Sequence, residues 1–187
     1  MGVNADVLRL RSCFLLLLVL VTPLTVLHAQ SRVARMKLES SAFAPGSPIP
    51  AMYSHAAQDL SPPLAWSGAP PGTIAFALVC DDPDAPRPGG WVHWVLWDIP
   101  PRTTSLKSGL PVAGRLPDGT RQGLNDWRVL GWGGPQPPSG VHHYVFRLYA
   151  LDELIGGGRA FTRDELLGAI KGHVLATAEL VGTFAAR

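Results

Sequence analysis

Short apolar runs separated by Pro/Gly turns constrain this chain more than any other feature. Glycine and proline together make 38 of 187 residues, well above the roughly 12% of average usage. They do not repeat at a fixed period. They fall between apolar segments of strand length, which is the pattern of turns joining many short strands. Met36 to Glu39 reads as a first short strand, Thr73 to Cys80 as a strand covered on both faces, Trp91 to Ile99 as the next, stopped by Pro100-Pro101, and His142 to Leu151 as the third strong one. Ala176 to Phe184 returns to strand at the end. Ser61 to Trp66 is a brief extended piece that its prolines confine to a sheet edge. From Phe43 to Pro71 the chain is otherwise mostly loop, and from Thr103 to Val129 it is a long irregular excursion with turn chemistry at Pro117-Asp118-Gly119.

One helix is expected. Thr162-Arg163-Asp164-Glu165 is a capping box, in which the Thr hydroxyl and Glu carboxylate satisfy free backbone donors. Leu166, Leu167 and Ile170 give it an apolar stripe, and Gly172 is the expected stop. The expected architecture is a mainly antiparallel β-sandwich with a helix near the C-terminus.

The N-terminus is set apart from this fold. Arg9 and Arg11 flank an unbroken apolar run from Cys13 to Val21, and Ala29 offers a small residue before Gln30. That is the order of a secretory signal peptide, and the run is shorter than the roughly 20 residues a membrane span needs. Residues 1–29 are therefore expected to be a cleaved leader, and 30–187 a single exported domain, periplasmic or secreted, with no integral span after cleavage. Those 158 residues carry 14 basic and 13 acidic side chains. A near-neutral balance with no basic run argues against nucleic acid as a partner. Cys80 is the one thiol left after cleavage, so no internal disulfide can form and the residue is expected to be a buried strand-end hydrophobe.

Two loops carry the chemistry. Asp81-Asp82-Pro83-Asp84-Ala85-Pro86 runs into Trp91-Val92-His93-Trp94, and Gly133-Gly134-Pro135-Gln136-Pro137-Pro138 runs through Ser139-Gly140 into His142-His143-Tyr144. Side chains two apart on a strand share a face. Strict alternation puts Trp91, His93, Val95 and Trp97 on one face, and His142, Tyr144, Phe146 and Leu148 on another. A polar pair at the mouth of each apolar face describes a pocket at the end of a sandwich. Imidazoles can donate to an anionic oxygen, Tyr and Trp give an apolar wall with polar tips, and Gly133 and Gly134 could bring backbone donors close. The set suits a small zwitterion such as a phosphorylated amine. A metal site built on His93, His142, His143, Asp82 and Asp84 is a rival, as is an acid-base hydrolase using Asp82 and His93. A third is a protein-interaction or inhibitor module with a vestigial pocket. No Gly-x-Ser-x-Gly or His-Glu-x-x-His is present, and no catalytic residue, metal or cofactor is expected.

These motifs, with Ser61-Pro62-Pro63-Leu64-Ala65-Trp66 before them and Glu179-Leu180-Val181-Gly182-Thr183 after them, resemble the phosphatidylethanolamine-binding protein (PEBP) family, whose bacterial branch is often called Raf-kinase-inhibitor-like. The resemblance covers about Lys37 to Phe184. It implies a large central antiparallel sheet packed on a smaller one. It implies also a pocket for phosphate-bearing head groups lined by Asp82, His93 and His142, with Asp84, Trp91, Pro135 and Tyr144 beside them, and a cis bond at Ala85-Pro86. The implied partner is a small phosphate-bearing anion or phospholipid head group, with modulation of partner proteins and a homodimer left open. His143 stands where the family usually has Arg, and Phe184 where Tyr is common. The loop Arg87 to Gly90 is short, as in the bacterial branch.

Overall fold

The computed structural model describes residues 36–186, so the leader expected over residues 1–29 lies outside the described residues. The strands are β1 (Lys37–Glu39), β2 (Leu64–Ser67), β3 (Ala75–Asp82), β4 (Trp91–Ile99), β5 (Ser105–Leu106), β6 (Arg121–Gln122), β7 (Val141–Leu151) and, after the helix α1 (Arg163–Ala169), β8 (Val174–Ala185). They form a five-stranded sheet in the order β6-β4-β3-β7-β8 and a three-stranded sheet in the order β1-β2-β5. All named strand pairs are antiparallel.

Strand β3 is buried along its whole length because it sits at the centre of the large sheet with a layer on each face. Phe76, Leu78 and Cys80 face a core shared with Trp94, Phe146, Leu148 and the small-sheet residues Leu38, Leu64 and Trp66. Ala77 and Val79 face a second core with Val95, Trp97, Leu166 and Ile170. The layers are therefore small sheet, large sheet, helix. Seven residues are too few for a helix to persist alone. Two features hold α1: the expected capping box between Thr162 and Glu165, and full burial of Leu166, worth roughly 1.5–3 kcal/mol.

Four expectations need correction. Strand β2 is the middle strand of its sheet, since Pro62 and Pro63 precede the strand and remove no ladder donor from it. The excursion from Thr103 to Val129 contains β5 and β6, which pair with β2 and β4 respectively. Alternation along β4 is not strict: Cys80 pairs with Trp94 but Asp81 with Val92, so His93 is the extra residue of a β-bulge. Past that point the faces exchange. Trp94 and Leu96 join the core of Tyr144 and Phe146, while Val95 and Trp97 join the helix-side core.

The turn after β3 also departs from expectation. There is no cis peptide bond among the described residues, so Ala85-Pro86 is trans. The Asp84 N–H donates to Asp82 Oδ1 at 2.9 Å, and the Arg87 N–H donates to the Ala85 carbonyl at 2.7 Å across Pro86. A three-residue turn of that kind, with proline at its centre, reverses the chain with a trans bond.

Candidate functional site

The end of β3 supplies the hub. Asp82 is buried, and its two oxygens have separate tasks. Oδ1 accepts the Asp84 N–H, and Oδ2 lies 2.7 Å from His142 Nδ1 on β7. Tyr144, two residues further on the same face, is fully buried. Burial first, and the nearby Asp82 charge second, push its phenol well above the ordinary range. The hydroxyl is thus a proton donor that finds no hydrogen bond of good geometry within the protein.

Strand β4 supplies Trp91 and His93 from the other side of β3. His93 and His142 are therefore not on adjacent strands, because β3 and Asp82 lie between them. The bulge turns His93 toward Tyr144, with ring centroids 4.9 Å apart and edge to face. His93 Nδ1 lies 2.6 Å from the Gly133 carbonyl. A carbonyl only accepts, so Nδ1 carries the proton. Burial pushes the His93 pKa down to about 4, against the raising effect of the Gly133 and Gly134 backbone. The ring is neutral near pH 7, and Nε2 is a bare lone pair with no partner.

The second loop is fixed by close approach. A Cβ on Gly134 would sit 2.1 Å from the Tyr53 carbonyl oxygen, and one on Gly133 would sit 2.6 Å from the Trp127 ring. Their backbone donors are already engaged. The Gly133 N–H bonds the His93 carbonyl at 3.0 Å, and the Gly134 N–H bonds Asp59 Oδ1 at 2.6 Å. The expected use of these donors for an anion is thereby corrected: they hold the loop. Asp59 also pairs with His55 at 2.8 Å, and His55 stacks on Trp127 with centroids 4.8 Å apart.

These elements enclose a cavity of about 400 Å³, within the roughly 300–1,000 Å³ of small-molecule sites. Asp82, Trp91, His93, His142 and Tyr144 line it, five of the seven residues singled out in the sequence. Asp84 and Pro135 do not. Asp84 turns away to His143, whose Nδ1 and backbone N–H both reach Asp84 Oδ2, at 2.7 and 2.8 Å. That bonding holds the Asp84 carboxyl below its usual range. Pro135 is buried behind the wall, its carbonyl accepting the His55 N–H.

The Gln136–Pro138 stretch of the second Pro/Gly loop lines the cavity as well, whereas Trp127 and Arg87, which also line it, escaped sequence reasoning. Trp127 packs edge-on against both Trp91 and His93, each at 5.0 Å. The Arg87 guanidinium lies over the Trp91 ring at 5.1 Å and 3.5 Å from Asp126. No periodicity marks Trp127, which sits in the irregular excursion, and a lone Arg87 in a short Pro/Gly loop carries no motif of its own. Asp82 pairs with His142 and His93 with a carbonyl, so the acid-base couple of Asp82 with His93 is not formed. Among the described residues no group of three His, Cys, Asp or Glu is arranged to hold a metal ion.

On the far face of the sheet Arg147 binds Asp81 at 2.6 Å and Glu179 at 3.1 Å, with Arg163 3.6 Å from Asp81. Burial still outweighs both guanidinium groups and raises the Asp81 pKa. Cys80 is fully buried, and burial raises its thiol likewise.

The family model described as phosphatidylethanolamine-binding protein matches residues 39–185. The chain belongs to the PEBP family. A UPF0098 protein of Methanothermobacter thermautotrophicus is 48% identical over 149 residues, 80% of this chain and 98% of that protein. One from Chlamydia muridarum is 38% identical over 80% of this chain and 98% of its own length. Their names state no activity. Among solved structures, a PEBP homologue of Chlamydia trachomatis superposes with a TM-score of 0.75 at 37% identity, covering 82% of this chain and 99% of its own. E. coli YbcL, described as a member of the mammalian PEBP family, also reaches 0.75, at 32% identity, with coverage of 82% and 100%. The mainly β fold with two antiparallel sheets and one short helix is the fold of these PEBP neighbours.

Proposed function

We propose that this PEBP-family chain is a small-ligand binding protein whose cavity takes a compact phosphate-bearing anion, either free phosphate or the phosphorylated end of a head group such as phosphoethanolamine. One observation carries the reading. Of the four buried side-chain polar atoms found without a partner among the described residues, three belong to cavity-lining residues: Trp91 Nε1, His93 Nε2 and Tyr144 Oη. A buried polar group left unpaired costs about 1–3 kcal/mol, so a ligand that pairs with all three removes that cost. The indole and the phenol can donate to anionic oxygens, and the Arg87 guanidinium at the rim adds a positive charge. The Trp91 and Trp127 rings leave an apolar wall for the rest of a head group.

In this reading the chain is exported once the leader over residues 1–29 is cleaved, and it meets its ligand outside the cytoplasm. Intact mass of the exported protein should then show a chain starting near Gln30. The binding test is a calorimetric titration with inorganic phosphate and with phosphoethanolamine, beside Tyr144→Phe. Saturable one-to-one binding, weakened in the variant, is expected. Absence of binding by both ligands in the millimolar range would overturn the reading.

A further inference from the structure

The three unpaired atoms do not have the same polarity. Trp91 Nε1 and Tyr144 Oη bring protons, whereas His93 Nε2 brings a lone pair, because the ring's proton is committed to the Gly133 carbonyl at 2.6 Å. Asp82 cannot exchange roles with it easily, since both its oxygens are already engaged by Asp84 and His142. A fully deprotonated tetrahedral oxyanion offers only acceptors. It would satisfy the indole and the phenol but set its own lone pairs against that of His93.

Resting on the phosphate reading above, we propose that the cavity selects its anion by a proton: His93 Nε2 accepts a hydrogen bond from an O–H carried by the bound oxyanion. Hydrogen phosphate, or a phosphomonoester in its P–O–H form, satisfies the site, and an oxyanion without a proton does not.

The groups facing His93 are consistent with an uncharged ring. From β3 comes Asp82, already paired with His142. From β7 come His142 and the protonated Tyr144, from the loop before β4 comes Arg87, and from the segment before β2 comes His55. Burial, and secondarily the two neighbouring imidazoles, disfavour a charge on His93, and the Gly133 and Gly134 backbone only partly offsets them. Sites built around a ligand hydroxyl reject analogues that lack it far more strongly than apolar pockets reject a missing methylene, because a buried polar group is left unpaired.

Sulfate and hydrogen phosphate separate the two cases, being equal in charge and nearly equal in shape but different by one proton. The purified protein is titrated with each in mildly alkaline solution, where inorganic phosphate is the hydrogen-phosphate dianion, by calorimetry in two buffers of different ionisation heat. Phosphate should bind at least about tenfold more tightly than sulfate, with little net proton uptake. A smaller ratio would mean that no ligand proton is read, and uptake of about one proton per site on sulfate binding, which can only charge the protein, would mean that His93 donates; either would overturn the proposal while leaving the phosphate site standing. If neither anion binds, the phosphate reading itself falls and this inference with it.

Discussion

His93 is anchored through Nδ1 on the Gly133 carbonyl, and that bond, with its burial, sets how the ring responds to pH. Its folded pKa of about 4 lies below the ordinary 6.5. Between these values the unfolded chain binds a proton that the folded chain refuses, so stability rises with pH across the window. The contribution is fully present above about pH 6.5 and is lost as pH falls toward about 4, on the order of 3 kcal/mol in all. Urea midpoints measured across this window should drop as pH is lowered from about 6.5 to about 4 in the wild type, and drop less steeply in His93→Gln. Binding gives a second residue-scale prediction. His93→Ala should weaken phosphate binding by about 1.5–3 kcal/mol, the worth of a hydrogen bond with an ionised partner. His143→Ala, on the opposite face, should leave binding unchanged in the same titration. It should cost the fold less than about 1 kcal/mol, because the Asp84–His143 pair is about half exposed.

Elements differ in how openly the sequence announces them, and α1 is the clearest. Its capping box was legible because every partner lies within four residues: the Glu165 N–H reaches Thr162 Oγ1 at 3.4 Å, and the Thr162 N–H reaches Glu165 Oε2 at 2.9 Å. Thr162→Ala should lower stability by about 1 kcal/mol in a urea titration while leaving phosphate affinity unchanged, since the helix packs on the far face of the sheet. The Glu165 carboxyl is drawn down to about 2, by Arg159 first and by the Thr162 backbone next. A depressed carboxylate stabilises above its ordinary pKa of 4.5 and loses that contribution only as pH falls toward about 2. The bulge in β4 was not legible. A period of two assumes that no residue is skipped, and the extra residue shows only when Trp94 must pair with Cys80 and Val92 with Asp81. Ser61 to Trp66 differs for another reason: Pro62 and Pro63 lie before the strand, which begins at Leu64, so they do not bar it from the middle of its sheet.

At the scale of the molecule, β3 was legible because a strand covered on both faces has to be apolar throughout. The two-sheet arrangement followed from the same runs and from the PEBP resemblance. What the sequence hid is held by side-chain to backbone bonds across irregular segments. Gln122 Nε2 donates to the Pro111 and Ala113 carbonyls at 2.6 and 3.0 Å, and Asn125 Nδ2 donates to the Gly131 carbonyl at 3.2 Å. Such contacts order the excursion that carries Trp127 to the cavity wall, and they leave no periodic trace. The site was legible to the extent that its polar groups sit on strands, where alternation predicts a face: His142 and Tyr144 were placed together, and His143 opposite. Asp84 and Pro135 lie in loops outside the strands, where alternation says nothing, and neither lines the cavity.

The central claim is that three unpaired groups in one cavity await a phosphate-type anion. It is tested most directly by following the histidine ring signals in a nuclear magnetic resonance titration of the protein with inorganic phosphate. The account predicts that the His93 and His142 rings shift together and saturably, while the exposed rings of His143 and His173 stay in place. Unmoved His93 and His142 signals at millimolar phosphate, or shifts confined to His143 and His173, would contradict it.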